Sequence, residues 1–309
     1  MPGMEKINKK IFKTIFFVAV FASALSLFFV INNQKPAGKI ESSEADFDNN
    51  LKIIFFDVGQ GDSALIITPK QKTIFIDGGP DNTVLYKLGE YLPYWQRKID
   101  LMVLSHPHAD HLVGFNEVLR RYDVKKILMT GVLHATYEYE EWLNQLKDRQ
   151  IPIEIAVGPS GIDFEPDTRL QILYPTESLA ETKMENLNNS SIVLKVTYGQ
   201  NSLLFTGDLE SDVQSTILDQ DLSALILKFP HHGSTNGYSE KFINAVNPKY
   251  AVISAGENNF GHPSKRTINA LERAGVKILI TKDLGDIIFN CNQTKCVYET
   301  TGANANAGN

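Results

Sequence analysis

The sequence predicts an α/β (α+β) domain whose chemistry collects at one edge of its sheets. Three observations predict it. From residue 51 onward the chain breaks into short apolar runs of strand length. Helical periodicity appears between several of them. Nearly every histidine, and several aspartates, fall just past the C-terminal end of an apolar run. Such positions are where a sheet fixes the backbone while loops converge.

Residues 53–58, 64–67 and 73–76 read as strands, joined by the turn Gly59-Gln60-Gly61-Asp62 and by Pro69-Lys70. Residues 101–104 form another strand, which delivers Ser105-His106. Helical patterns follow over 115–121 and 137–147. The alternation then repeats. Strands over 192–197 and 203–205 lead to Thr206-Gly207-Asp208, and a strand over 225–229 ends at Pro230-His231-His232-Gly233. A strand over 250–253 precedes Gly261-His262-Pro263, and a helix over 267–274 returns to a strand over 276–280. No repeat of fixed period is present.

The 309 residues are 43% hydrophobic and 21% charged, enough apolar material for a sizeable core, which we place in one domain over 51–300. A formal net charge of −6 gives no global attraction to nucleic acid. A polyanionic substrate would need local positive charge, bound metal included.

The first residues are of another kind. Lys6, Lys9, Lys10 and Lys13 precede an uncharged apolar run that ends at Ile31. Residues 1–31 therefore read as a single membrane anchor with its N-terminus cytoplasmic and the remainder outside. Ala22-Ser23-Ala24 also resembles a signal cleavage site, but the run continues past it, which favours retention. Residues 32–50 are polar and read as a tether, and residues 301–309 as a low-complexity tail. Cys291 and Cys296 bracket four polar residues between two apolar runs, where a hairpin would set the thiols opposite one another. A disulfide there suits an exported domain, and two unpaired thiols are the alternative.

The strongest chemical signal is Ser105-His106-Pro107-His108-Ala109-Asp110-His111. It gathers three of the seven histidines and a carboxylate within six residues. Imidazole nitrogen and carboxylate oxygen are preferred donors for Zn²⁺ and similar divalent ions. His231 is well placed as a ligand or proton donor, with a buried hydrogen-bonded histidine as the alternative. His232 stands between the same two readings. His262 sits in a polar loop suited to a site role. Asp208 either caps a helix over 210–218 or reaches a metal. Asp62 and Ser63 make a turn or approach the site. Lys265 could meet a phosphate, and His134 reads as a plain loop residue.

The pattern His106-x-His108-x-Asp110-His111 after a hydrophobic strand resembles the signature of the metallo-β-lactamase superfamily, over roughly residues 51–300. The resemblance implies a four-layer αββα sandwich and two divalent ions. Asp77 matches the aspartate that braces the metal loop, and Asp208 the one that bridges two metals. Asp57-Val58-Gly59-Gln60-Gly61-Asp62-Ser63, Asn188-Asn189-Ser190-Ser191, His231-His232-Gly233-Ser234 and Gly261-His262-Pro263-Ser264 narrow it further. Together they resemble the C-terminal domain of ComEC-type DNA-uptake proteins, without their polytopic channel. A separate channel protein is therefore an expected partner, alongside DNA.

The superfamily's third histidine is missing, and Asn188-Asn189-Ser190-Ser191 stands in its place, which makes Asn189 a possible ligand. An amide oxygen is a harder donor than imidazole, so Zn²⁺, Mn²⁺ and Mg²⁺ all stay open. The expected ligands are His106, His108, Asp110, His111, Asp208 and His231, with Asp77, Asp62 and His232 around them and Ser234 and Lys265 towards substrate. Hydrolysis by a metal-activated water is implied, with Asp110 orienting the nucleophile and His231 or His262 serving the leaving group. A phosphodiesterase or nuclease is the first reading. Hydrolysis of a small ester, lactone or lactam is the second, and a catalytically weak nucleic-acid or partner-binding module the third.

Overall fold

The computed structural model describes residues 50–302. The expected anchor, all but the last residue of the tether, and residues 303–309 of the tail lie outside the described residues. Among the described residues, no helix is long and apolar enough to cross a membrane.

The chain order opens with β1 (Leu51–Phe55), β2 (Ser63–Ile67), β3 (Thr73–Gly78), α1 (Thr83–Tyr91), β4 (Lys98–Ile99) and β5 (Leu101–Val103). It continues through α2 (Ala109–Arg121), β6 (Asp123–Val124), β7 (Ile127–Met129), α3 (Tyr137–Asp148), β8 (Ile153–Ile155), β9 (Ser160–Glu165) and β10 (Thr168–Tyr174). Next come β11 (Val193–Tyr198), β12 (Asn201–Phe205), α4 (Ser211–Gln214), β13 (Ile226–Lys228), α5 (Glu240–Val246) and β14 (Tyr250–Ile253). The described chain closes with α6 (Lys265–Arg273), β15 (Lys277–Ile280), α7 (Thr281–Leu284), β16 (Ile287–Cys291) and β17 (Cys296–Thr300).

Eight strands form one sheet in the order β17-β16-β1-β2-β3-β5-β7-β8, and seven form a second in the order β15-β14-β13-β12-β11-β10-β9. Each sheet is half antiparallel meander and half parallel. β3, β5, β7 and β8 run parallel through crossovers that carry α1, α2 and α3. β12 to β15 run parallel through crossovers that carry α4, α5 and α6.

Three apolar clusters stack these parts. Ile53, Phe55 and Val103 from the first sheet meet Leu170, Leu194 and Phe205 from the second. The Phe55 and Phe205 rings stack across the gap at 5.6 Å. On the outer face of the first sheet, Phe75 and Met102 pack against Leu88, Phe115 and Trp142 of α1, α2 and α3. On the outer face of the second, Leu204 and Leu227 pack against Phe242 and Leu271 of α5 and α6. With both faces covered, interior strands such as Thr73–Gly78 are buried at every position, which explains their continuous apolar runs. The layers are helices, sheet, sheet and helices, the αββα order that the resemblance implied.

Local chemistry sets the helix ends. Asp110 lies in the first turn of α2, and Arg120 and Arg121 in its last, both signs complementing the helix dipole. Thr136 caps α3, Ser239 caps α5 and Ser264 caps α6, each accepting a backbone N–H three residues on.

Several elements differ from the sequence expectation. α2 starts at Ala109 rather than at 115, because its first turn carries site residues and shows no apolar stripe. The expected helix over 210–218 is a four-residue helix and a 3₁₀ turn over Ser215–Ile217. The helices α1 and α5 and the hairpin β9–β10 were not anticipated. The domain also runs past 300: Thr301 N donates to Asp286 O (3.1 Å) and Gly302 N to Leu284 O (2.7 Å). Across the last hairpin, Cys291 pairs with Cys296, and the two form a disulfide.

Candidate metal centre

Parallel strands end on the same edge, so their C-terminal loops converge. β3 ends in Asp77-Gly78, β5 leads to His106–His111, β12 to Asp208, β13 to His231-His232, and β14 to His262. Two glycines let the segments close in. A Cβ on Gly114 would lie 2.0 Å from Gly78 O, so only glycine lets α2 press against the end of β3. A Cβ on Gly61 would lie 2.4 Å from Asp110 O, and its φ of +153° suits glycine as well. The close approach allows Asp62 N to donate to Asp110 O at 3.2 Å.

Asp77 is the brace. Its Oδ1 accepts Ser105 N (2.8 Å), and its Oδ2 accepts Ser105 Oγ (2.7 Å) and His111 Nδ1 (2.9 Å). These contacts assign the imidazole protons. His111 carries a proton on Nδ1 and presents Nε2. Ser105 Oγ spends its own proton on Asp77, so it accepts from His106 Nδ1 (3.1 Å), leaving the His106 Nε2 lone pair to accept from His108 Nδ1. That lone pair lies 3.0 Å from His108 Nδ1.

Asp110, His111, Asp208 and His232 form a four-residue group, with one donor atom from each lying within 4.8 Å of the others. His232 Nδ1 donates to Ser254 O (2.9 Å), which turns its Nε2 towards Asp110 Oδ2 (3.1 Å) and Asp208 Oδ2 (3.4 Å). His111 Nε2 lies 3.4 Å from Asp208 Oδ1. Neither of these two buried atoms has a hydrogen-bond partner among the described residues. Asp208 is therefore not a helix cap; α4 begins three residues later, at Ser211.

The neighbouring histidines take the reverse of their expected places. His232, expected around the ligands, is fully buried between the carboxylates, whereas His231 Nε2 stands 4.0 Å from Asp208 Oδ2. His231 Nδ1 faces Glu210 (3.6 Å), and its ring lies 5.4 Å from that of His262. Both His231 and His232 hold positive φ, at 49° and 51°, the kind of backbone strain that collects at functional sites. The two asparagines face different ways. Asn189 is turned away, donating to Asp212 and accepting Glu210 N at 3.1 Å. Asn188 faces His231 instead, and its Oδ1 has no hydrogen-bond partner among the described residues.

Lys228 is the functional residue that the sequence reading missed. It ends β13 among apolar residues, and its ammonium is buried against Asp62. It also donates to Gly207 O (3.2 Å) and lies 3.8 Å from Asp208. A second group of possible donors, Asp62, Asp77 and His111, is thus already served by a cation of the chain itself. The available signal was a lone lysine inside an apolar run, two residues before Pro230. His134, read as a plain loop residue, lies in the irregular stretch before α3. Ser234, expected towards substrate, is buried and its Oγ accepts Asn236 N (3.1 Å). Lys265 is exposed at the start of α6.

Electrostatics divide the histidines into two kinds. Burial, reinforced by His111 and His108, holds His106 well below the usual imidazole range, and burial likewise lowers His108, His231 and His262. All four are neutral near pH 7, the form that ligates metal. Burial also works against charge on His111 and His232, but the surrounding carboxylates, Asp208 foremost, outweigh it and raise both well above that range. For Asp208, burial acts upward, and His232 and His111 overcome it and hold the carboxylate well below its ordinary value. Among the carboxylates of the site, burial prevails at Asp77, which is raised.

These residues fit divalent metal. The donor set is imidazole and carboxylate, the tautomers present Nε2 of His106, His111 and His232, and the partnerless atoms face one another. His106, His108, Asp110, His111, Asp208 and His232 are the side chains that could hold it.

The metallo-β-lactamase superfamily model matches residues 56–257. The chain is 29% identical over 270 residues to ComE operon protein 3 of Bacillus subtilis, covering 80% of this chain and 33% of that protein. It is 31% identical over 254 residues to competence protein ComA of Neisseria gonorrhoeae, again covering 80% and 33%. The chain thus spans about a third of the length of these relatives. The metallo-β-lactamase fold protein YhfI from Bacillus subtilis superposes with a TM-score of 0.53 at 13% identity, over 78% of this chain and all of that one, a likeness of fold. With this match over the sheets and the site, the chain belongs to the metallo-β-lactamase superfamily.

Proposed function

We propose that the chain is a metal-dependent phosphodiesterase acting on DNA, and that its domain works on the outer face of a membrane. The observation that carries the hydrolase reading is the group Asp110, His111, Asp208 and His232 beside the neutral pair His106 and His108. The resemblance to DNA-uptake proteins, joined by relatives named for competence, supports the substrate class, and the disulfide supports an exported location. Two divalent ions, Zn²⁺, Mn²⁺ or Mg²⁺, are proposed as cofactors. A membrane channel is the proposed partner, on the resemblance to ComEC-type DNA-uptake proteins.

Divalent ions in this site supply Lewis acidity and acidify a water. The chain's residues do the rest. Asp110 accepts from His232 and is only half-buried, so it can orient an attacking water. His262 is half-buried, neutral and lacks a partner at Nδ1 among the described residues, so it can hold or pass a proton at the leaving oxygen. His231, close to Asp208 and Glu210, is positioned to steady it. Asp77 and Ser105 fix ring orientation.

The test is hydrolysis of single-stranded DNA by the full-length chain with Mn²⁺, Zn²⁺ or Mg²⁺, beside His108→Ala and Asp110→Ala. A generic phosphodiester and a lactone run in parallel. Metal-dependent DNA cleavage lost in both variants is the expected result. Bound metal with lactone turnover and intact DNA would move the assignment to a small ester or lactam. Neither metal nor turnover would leave a binding module.

A further inference from the structure

We infer that Phe260 is a stacking platform for one base of a single-stranded substrate, an inference that rests on the phosphodiesterase reading above. The ring is 75% exposed, yet the loop that carries it is tightly held. The Asn258 side chain makes four hydrogen bonds within it. Its Oδ1 accepts Phe260 N (3.1 Å) and His262 N (3.0 Å), and its Nδ2 donates to Gly256 O (2.8 Å) and His262 O (2.7 Å). Gly261, with φ of +76°, makes the reversal between the two rings. A loop under this much constraint that still directs an aromatic ring at water is preorganised to receive something flat and apolar.

The position points to what that is. The Phe260 ring lies 5.9 Å from that of His262, which lies 5.4 Å from His231, whose Nε2 is 4.0 Å from Asp208. A file of rings therefore leads from the proposed metal ligands to solvent. A phosphodiester placed at the carboxylates would bring the base of a neighbouring nucleotide over this file. The chain carries a net charge of −6, so backbone neutralisation is a weak source of affinity and stacking has to supply more of it. Stacking needs an exposed base face, which a duplex conceals, and it tolerates any base.

The experiment is a cycle between protein and substrate with the metal-loaded full-length chain. Binding of a phosphorothioate oligothymidylate is measured for the wild type, Phe260→Ala and Phe260→Trp, with each base in turn replaced by an abasic site. A single stack lost is expected to weaken binding roughly 5- to 150-fold. One abasic position should weaken wild-type binding by that order, Phe260→Ala should do the same to the intact strand, and the two together should do no more than either alone. Phe260→Trp should restore binding, and 2-aminopurine at the coupled position should be quenched by the wild type but not by Phe260→Ala. Phe260→Ala binding as tightly as wild type, or losses that multiply at every position, would overturn the platform while leaving DNA cleavage intact. A wild-type chain that turns over a lactone and neither binds nor cuts DNA would overturn the phosphodiesterase reading itself, and the platform with it.

Discussion

Lys228 and Asp62 form a buried ion pair directly beneath the proposed metal ligands. The opposite oxygen of Asp62 faces His232 Nδ1 at 3.2 Å. Burial alone would discharge both partners. Their attraction, joined by Asp208 on one side and by His232 and His111 on the other, instead keeps Lys228 above and Asp62 below their ordinary values. Lys228 thus joins His111 and His232 in balancing a floor of carboxylates.

Removing one partner should therefore be costly. Lys228→Met is expected to destabilise the domain by about 3–5 kcal/mol, since it strands a buried carboxylate. Lys228→Met combined with Asp62→Leu should recover a large part of that loss. Urea unfolding of the three chains tests this; equal stability of wild type and Lys228→Met would show the pair to be dispensable.

The placement of His232 between the carboxylates, with His231 further out, predicts metal content. His232→Ala and Asp208→Ala should each lose metal by at least about tenfold in affinity, whereas His231→Ala should hold it and lose activity. Competition with a chromophoric chelator, followed by elemental analysis after dialysis, separates the two outcomes. Normal metal in His232→Ala would place the ligand elsewhere.

Chelation should cost more stability at high pH. In the metal-free domain His111 and His232 have raised native pKa values. Their protonated forms stabilise the fold fully below about pH 6.5, the unfolded value, and that contribution is lost as pH rises through the raised native values. Metal replaces those protons. The fall in Tm on adding EDTA should therefore widen steadily from about pH 6 upward. Scanning calorimetry across that range measures it, and a constant or shrinking difference would contradict the assignment.

Gly114→Ala is predicted to act at a distance from its own surface. The added methyl must displace Gly78 O, at a cost of about 1–3 kcal/mol, and it would shift Asp77 beside it. Lower Tm together with weaker metal binding is expected. Val113→Ala, at the preceding and partly exposed position of α2, is the control and should leave metal affinity unchanged.

How much of this was legible in the chain depends on the residue. The cluster from His106 to His111 could be read because its ligands are neighbours in sequence and follow an apolar strand. The αββα order was implied by the family resemblance that this motif carries, and the alternation of strands and helices fits it. The hairpin β9–β10 was missed because Ser160–Glu165 alternates over only two apolar residues, Ile162 and Phe164, too short a pattern to stand out. The helix start at Ala109 was missed because residues that face a polar site break the apolar period.

The sequence alone determined which atoms are available: imidazoles and carboxylates placed at strand ends, a chain acidic overall, and two cysteines set for a hairpin. Only the tertiary structure decided which of two adjacent histidines, and which of two adjacent asparagines, turns inward. Single-residue choices of that kind depend on backbone dihedrals at the turn after β13 and on partners such as Ser254 and Asp212, which lie far away along the chain. The same holds for Lys228. Its residue type can be read anywhere, but its burial against Asp62 exists only once β13 lies beside β12 and the two sheets close.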